Sequence, residues 1–154
     1  MIAQIAAQFN MCFHHVDFRN AFLNSELERK IYVNQPLGFE VLSKNNEVLV
    51  CVLKRSLYGL VQSSRNWNKM INSFLKSLGF IQSYADACLY TKIDGDSIII
   101  LCIWVDDILM CSNNSKQISI VKQALGNKFR LKDLGMIEWF LGIHFNVGKY
   151  AIQG

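Results

Sequence analysis

The sequence is nearly devoid of proline, with one in 154 residues, which excludes a proline-stiffened linker. It also lacks long hydrophobic runs. The longest, Ile98–Val105, falls far short of the roughly 20 residues that cross a bilayer, so no membrane partner is expected. Cysteine is present but wrongly arranged for a metal or disulfide framework: Cys12, Cys51, Cys88, Cys102 and Cys111 are odd in number, scattered, and include no Cys-x-x-Cys pair. His14, His15 and His144 complete no zinc spacing. Free thiols in a reducing compartment are expected. Met1–Gln8 lacks the basic flank of a signal peptide, and an intracellular, soluble chain is the expectation. Acidic residues are missing altogether between Val48 and Ala85, where Lys54, Arg55, Arg65, Lys69 and Lys76 occur. A one-sided stretch of this kind suits a polyanionic backbone as well as it suits an ordinary solvated face.

What is present is core material. Apolar residues make up 51% of the chain, charged residues only 18%, and the net charge is +4. The length suits one domain, and neither a repeat nor a low-complexity segment divides it. Ile2, Ile5, Ala6 and Phe9 share one helical face. Cys12–Phe18, Ile31–Asn34 and Glu47–Leu53 are predicted strands. Trp67, Met70, Ile71, Phe74, Leu75 and Leu78 hold helical spacing, with Ser63 or Ser64 as cap and Gly79 as stop. Cys88–Ile93 and Ser97–Val105 flank the turn residues Asp94-Gly95-Asp96, and Ile108–Cys111 is a further strand. Ser115–Lys128 is a second long helix with Ile118, Val121 and Leu125 inward, and Trp139–Val147 closes the chain as one or two strands. The expected class is α+β, an antiparallel sheet with helices packed on one face.

The informative anomaly is an acid pair inside an apolar run. Asp106-Asp107 follows Ile98–Val105 and precedes Ile108–Cys111, so two carboxylates are fixed side by side at a tight turn. Like charges held close repel, and a bridging divalent cation turns that cost into binding. Taken alone, two acids at a hairpin favour a plain solvated turn over a metal site. Asp17 ends another apolar strand. If the two strands are neighbours, three carboxylates converge, as a two-Mg²⁺ clamp about 3.5–4 Å across requires for displacement at phosphorus. Alternation permits this adjacency without establishing it.

Five segments in order then resemble one family. Asp17-Phe18-Arg19-Asn20-Ala21-Phe22-Leu23-Asn24, with Ile31–Phe39 after it, is similar to the first catalytic motif of copia-type LTR retrotransposon reverse transcriptases. Lys54–Trp67 resembles their second motif, Trp104-Val105-Asp106-Asp107-Ile108 their Tyr-Val-Asp-Asp box, and Lys132–Gly135 and Trp139–Ile143 the segments beyond it. The resemblance covers nearly the whole chain.

It implies a polymerase palm with partial fingers, thumb and RNase H lying elsewhere in a Pol polyprotein, and RNA-directed DNA polymerisation in the parent. Asp17, Asp106 and Asp107 would ligate two Mg²⁺ ions, aided by the Phe18 backbone carbonyl. Phe22 would lie beneath the incoming sugar. Tyr58 and Gly59 would line the nucleotide pocket, Lys132 would face the triphosphate or assist proton transfer, and Gln62 and Arg65 would lie beneath the template. Implied partners are an RNA or DNA template-primer, deoxynucleotides and the rest of the polyprotein, within a cytoplasmic virus-like particle. Trp104, Val61 and Ser64 depart from the usual tyrosine, lysine and proline, which bears on substrate grip more than on metal. Two other readings stand beside it. One is an inactive remnant that at most binds nucleic acid or a partner; the other is a different two-metal phosphotransferase, such as a cyclase.

Overall fold

A computed structural model describes residues 2–145. In chain order the elements are α1 (Ile2–Gln8), β1 (Cys12–Phe18), a 3-10 turn (Ala21–Asn24), β2 (Tyr32–Val33), β3 (Cys51–Val52), α2 (Ser63–Ser77) and β4 (Ile81–Gln82). They continue with β5 (Leu89–Asp94), β6 (Ser97–Trp104), β7 (Asp107–Ser112), α3 (Ser115–Lys128), β8 (Leu131–Met136), β9 (Trp139–Phe140) and β10 (Ile143–His144). They form two compact units. One holds residues up to Asn20 and from Ile71 onward; the other is Ala21–Met70.

The first unit is built on a six-stranded antiparallel sheet in the order β4-β5-β6-β7-β1-β8. Its centre is apolar on both faces: from Ile108 to Ser112 every residue of β7 is buried. Such strands need cover on each side. On one face Ala6 of α1 packs with Phe13, Ile100, Leu109, Cys111, Ile137 and Phe140. On the other lie Val16, Leu101, Ile108 and Met110, each fully buried, with α3 packed on β7 and β6. His14, beside Phe13 on β1 and therefore on the opposite face, is bonded from Lys122 of α3. The one-face layering expected from sequence is thus incorrect. The continuous run Ile98–Ile103 carries buried residues of both parities, so the sheet is covered on both sides.

The helices have local causes. Asn114 caps α3, its side chain accepting from the Lys116 N–H at 3.1 Å, and Ile118, Val121 and Leu125 are buried. Gly79, at φ 86°, stops the α2 segment, and the Lys92 ammonium donates to the Leu78 carbonyl at 2.9 Å. Phe129 meets Phe18 and Phe74 edge-on at 5.4 and 5.3 Å, joining α2 and the segment before β8 to β1. Leu131–Met136, not expected as a strand, pairs with β1 through a register shift between His15 and Val16. This bulge lies on an edge strand of the sheet.

In the second unit β2 and β3 pair in only two positions, shorter than the predicted strands. The intervening arm is held by Gln35, whose amide donates to the Val41 and Leu49 carbonyls and accepts from the Val41 N–H. Ser63 does not act as the expected simple cap: its hydroxyl donates to the Leu57 carbonyl and ties the preceding loop to α2. Val147, the expected end of the last strand, lies outside the described residues.

Candidate active site

β6 and β7 are joined by a two-residue turn, Val105-Asp106, with Trp104 paired to Asp107 across it. Val105 takes φ 54°, the left-handed value that the first central residue of a primed hairpin turn adopts. For a β-branched side chain that conformation is strained by about 1–3 kcal/mol, so the surrounding sheet must enforce it. What it secures is two consecutive acids at a sharp strand end.

β1 is the neighbour of β7, and the register puts Asp17 directly opposite Asp107. The Phe18 N–H donates to the Asp106 carbonyl at 2.7 Å, closing the end of this pair. On its other side β1 faces β8, where Lys132 is the partner of Asp17. One row of the sheet therefore reads Asp107, Asp17, Lys132. The three acids are partly buried, whereas Lys132 is exposed. The Phe18 side chain is buried against Phe129 on the opposite face, so only its backbone is available to the acid cluster.

His15, two residues before Asp17, shares its face. Its Nε2 lies 2.7 Å from Asp107 Oδ1, and its ring packs edge-on to Phe140 at 5.4 Å. Sequence reasoning dismissed this histidine, although the His-x-Asp spacing on a strand was the signal available for it.

Hard, all-oxygen donors suit Mg²⁺ rather than zinc. Among the described residues, no three His, Cys, Asp or Glu side chains are gathered into a metal cage. Mg²⁺ does not require one, since it is commonly held by one or two carboxylates with water and substrate phosphates completing the shell. The paired Asp17 and Asp107, with Asp106 in the turn beside them, fit that mode of binding.

The remaining candidates lie in the second unit. The buried Phe22 and the half-exposed Tyr58 stack at a tilt, 4.3 Å between ring centroids. Gly59 takes φ 90°, a conformation that a side chain would strain. Gln62 lines a hollow of about 360 Å³ with Glu28 and Arg29. Arg65 stands near Glu28, whose carboxyl is held below its usual range, chiefly by a hydrogen bond from Lys69 and its charge. The acid-free stretch is less bare than its sequence: Lys69 pairs with Glu28 at 2.6 Å and Arg55 with Glu26 at 3.2 Å. No described helix is long and apolar enough to cross a membrane.

Comparison with known proteins gives the chain's family. The Pol polyprotein of transposon TNT 1-94 from Nicotiana tabacum is 38% identical over 143 residues, covering 92% of this chain and 11% of that protein. The Pol polyprotein of transposon RE1 from Arabidopsis thaliana is 32% identical over 143 residues, covering 93% of the chain and 10% of the relative. The putative transposon Ty5-1 protein of Saccharomyces cerevisiae is 37% identical over 131 residues, covering 85% of the chain and 42% of the relative. The chain thus spans about a tenth of the two Pol polyproteins. No solved structure matches. The family model described as reverse transcriptase (RNA-dependent DNA polymerase) matches residues 1–153, and the chain belongs to that family.

Proposed function

We propose that this chain is the palm core of an RNA-directed DNA polymerase whose full-length parent joins deoxynucleotides to a primer by metal-assisted nucleotidyl transfer. The observation that carries the reading is the direct pairing of Asp17 with Asp107 across β1 and β7, with Asp106 in the turn. Asp17, Asp106 and Asp107 would hold two Mg²⁺ ions, with the Phe18 backbone carbonyl as a further oxygen donor. When bound, the ions would activate the primer hydroxyl and neutralise the leaving pyrophosphate.

The protein's own contributions are positional. The strand register fixes the acids before any substrate arrives, so their arrangement costs little at the moment of reaction. Lys132, opposite Asp17, is a cation suited to the triphosphate. Phe22, stacked on Tyr58, is a rigid aromatic suited to lie under a sugar and disfavour a 2′-hydroxyl. Gly59 gives the close backbone approach a nucleotide needs, and Gln62 and Arg65 at the start of α2 suit a template backbone. RNA or DNA template-primer, deoxynucleotides and the remainder of a Pol polyprotein are the partners this reading entails, in a cytoplasmic particle of the parent element.

Primer extension on a defined template by the purified chain, and by the chain within its complete polyprotein, tests the proposal. Incorporation that requires Mg²⁺ and is lost in Asp107→Asn supports it; incorporation indifferent to that change refutes the role of the acids. Salt-dependent nucleic-acid binding without extension in either form would leave the binding remnant as the correct reading.

A further inference from the structure

We propose that His15 is a positioning residue for the acid pair: its Nε2–H holds one carboxylate oxygen of Asp107 and leaves the other for a divalent cation shared with Asp17. The inference rests on the metal-assisted reading above and adds a residue to it.

Three observations converge. The contact is short, 2.7 Å from ring nitrogen to carboxylate oxygen, and its partners are largely withdrawn from water, with side chains 15% and 29% exposed. It is also built into the strands. His15 pairs with Leu109 and Asp17 with Asp107, so His15 is the diagonal neighbour of Asp107 on the face that Asp17 occupies, within reach of a long side chain. Finally, the ring is itself held. Phe140, nearly fully buried, presses on it at 83°, and Phe140 belongs to the cluster containing Phe13, Leu109 and Cys111.

A ring wedged against the core and donating to Asp107 restricts that carboxylate to few orientations. A ligand oxygen already oriented loses less freedom on coordinating an ion than one that rotates. Hydrogen-bonding partners behind ligating groups behave in this way, and their removal typically weakens metal binding by about 10–100-fold. The donor also draws Asp107 charge away from the Asp17 carboxylate opposite, which eases the repulsion between them without occupying either residue completely.

The test is a calorimetric titration of the purified chain with Mn²⁺ and with Mg²⁺, comparing wild type with His15→Phe, His15→Gln and Asp107→Asn. His15→Phe keeps a ring for Phe140 but has no donor, and affinity should fall by roughly tenfold or more. His15→Gln restores an N–H at comparable reach and should recover most of the loss. Far-UV circular dichroism checks that each variant is folded. A second measurement needs no variant: in ¹⁵N-labelled protein the His15 Nε2–H should remain protonated and hydrogen-bonded when Mg²⁺ saturates the site. Binding that depends on Asp107 but not on His15, or loss of the Nε2–H bond on adding Mg²⁺, overturns this inference alone. No binding by wild type, or binding unchanged in Asp107→Asn, overturns the metal-assisted reading and this inference with it.

Discussion

The ammonium of Lys122 lies 2.9 Å from Nδ1 of His14, reaching from α3 to β1, and the same ammonium bonds Asp133 of β8. The bond requires Nδ1 to accept, so the ring is held neutral with its proton on Nε2. Burial and then the Lys122 charge push the His14 pKa below 6.5, with Asp133 opposing. A depressed histidine means that the unfolded chain takes up the proton first as pH falls. Its contribution to stability is therefore complete above about pH 6.5 and is lost as pH drops towards the folded value.

Asp133 acts in a lower window. Desolvation raises its pKa, but the Lys122 hydrogen bond, the Gly135 N–H and the nearby charges outweigh it and leave the value depressed. Its contribution is present above the ordinary carboxylate range and fades as pH falls through the folded value. Urea unfolding from pH 8 to pH 4 should show wild type weakening below pH 6.5, and His14→Gln should weaken less between pH 6.5 and 5. Parallel profiles for the two would show that His14 carries none of the dependence.

The opposed acids predict a trade of stability against function. Like charges directly across an antiparallel pair destabilise it by roughly 0.2–1 kcal/mol. Without divalent metal, Asp17→Asn should therefore melt up to a few degrees above wild type, at about 2–4 °C per kcal/mol. Adding Mg²⁺ should raise the wild-type midpoint and leave that of the variant nearly unchanged. A variant that melts lower in metal-free buffer would contradict the assigned repulsion.

At the turn, Val105 carries φ 54° with a branched side chain. Val105→Gly removes the strain, and after allowance for the greater freedom of glycine in the unfolded chain it should stabilise the protein by about 1 kcal/mol. Denaturant midpoints measure this directly. Destabilisation by a similar amount would show that the Val105 contacts outweigh its backbone strain.

Cys111 is buried in the cluster between β1 and β6, and burial, with Cys12 and Cys102 nearby, pushes its thiol pKa up to about 12. At pH 8 iodoacetamide should leave Cys111 untouched in the folded chain and modify it only under denaturant. Mass spectrometry of tryptic peptides gives the outcome. Rapid labelling of the native chain would mean that β7 opens locally.

Much of the fold was legible where a local pattern and the final packing agree. α3 has the bounds its periodicity predicts, because Ile118, Val121 and Leu125 form one stripe and Asn114 supplies the cap. The acid pair was legible for the same reason, since only a hairpin accommodates two charges between the apolar runs of β6 and β7. β8 was not. Leu131–Met136 has two charges and a glycine, and it becomes a strand only by pairing with β1, more than a hundred residues away in sequence. The adjacency of Asp17 and Asp107 is likewise a long-range pairing that alternation allows and cannot specify. The two-sided cover of the sheet was written in the unbroken run Ile98–Ile103, which an alternating, one-faced strand would not show.

The irregularity in β8 decides which charge stands beside Asp17. His15 is matched with Gly135, and an uninterrupted ladder counted from there would bring Asp133 level with Asp17 and turn Lys132 to the far side. The additional residue, Leu134, advances the count by one. Lys132 then falls in line with the acids, while Asp133 turns towards Val16 and the Lys122 ammonium. Taking Leu134 into the ladder would thus exchange a cation for another anion in that row without altering a single ionisable residue, whereas excising Leu134 would leave Lys132 where it stands.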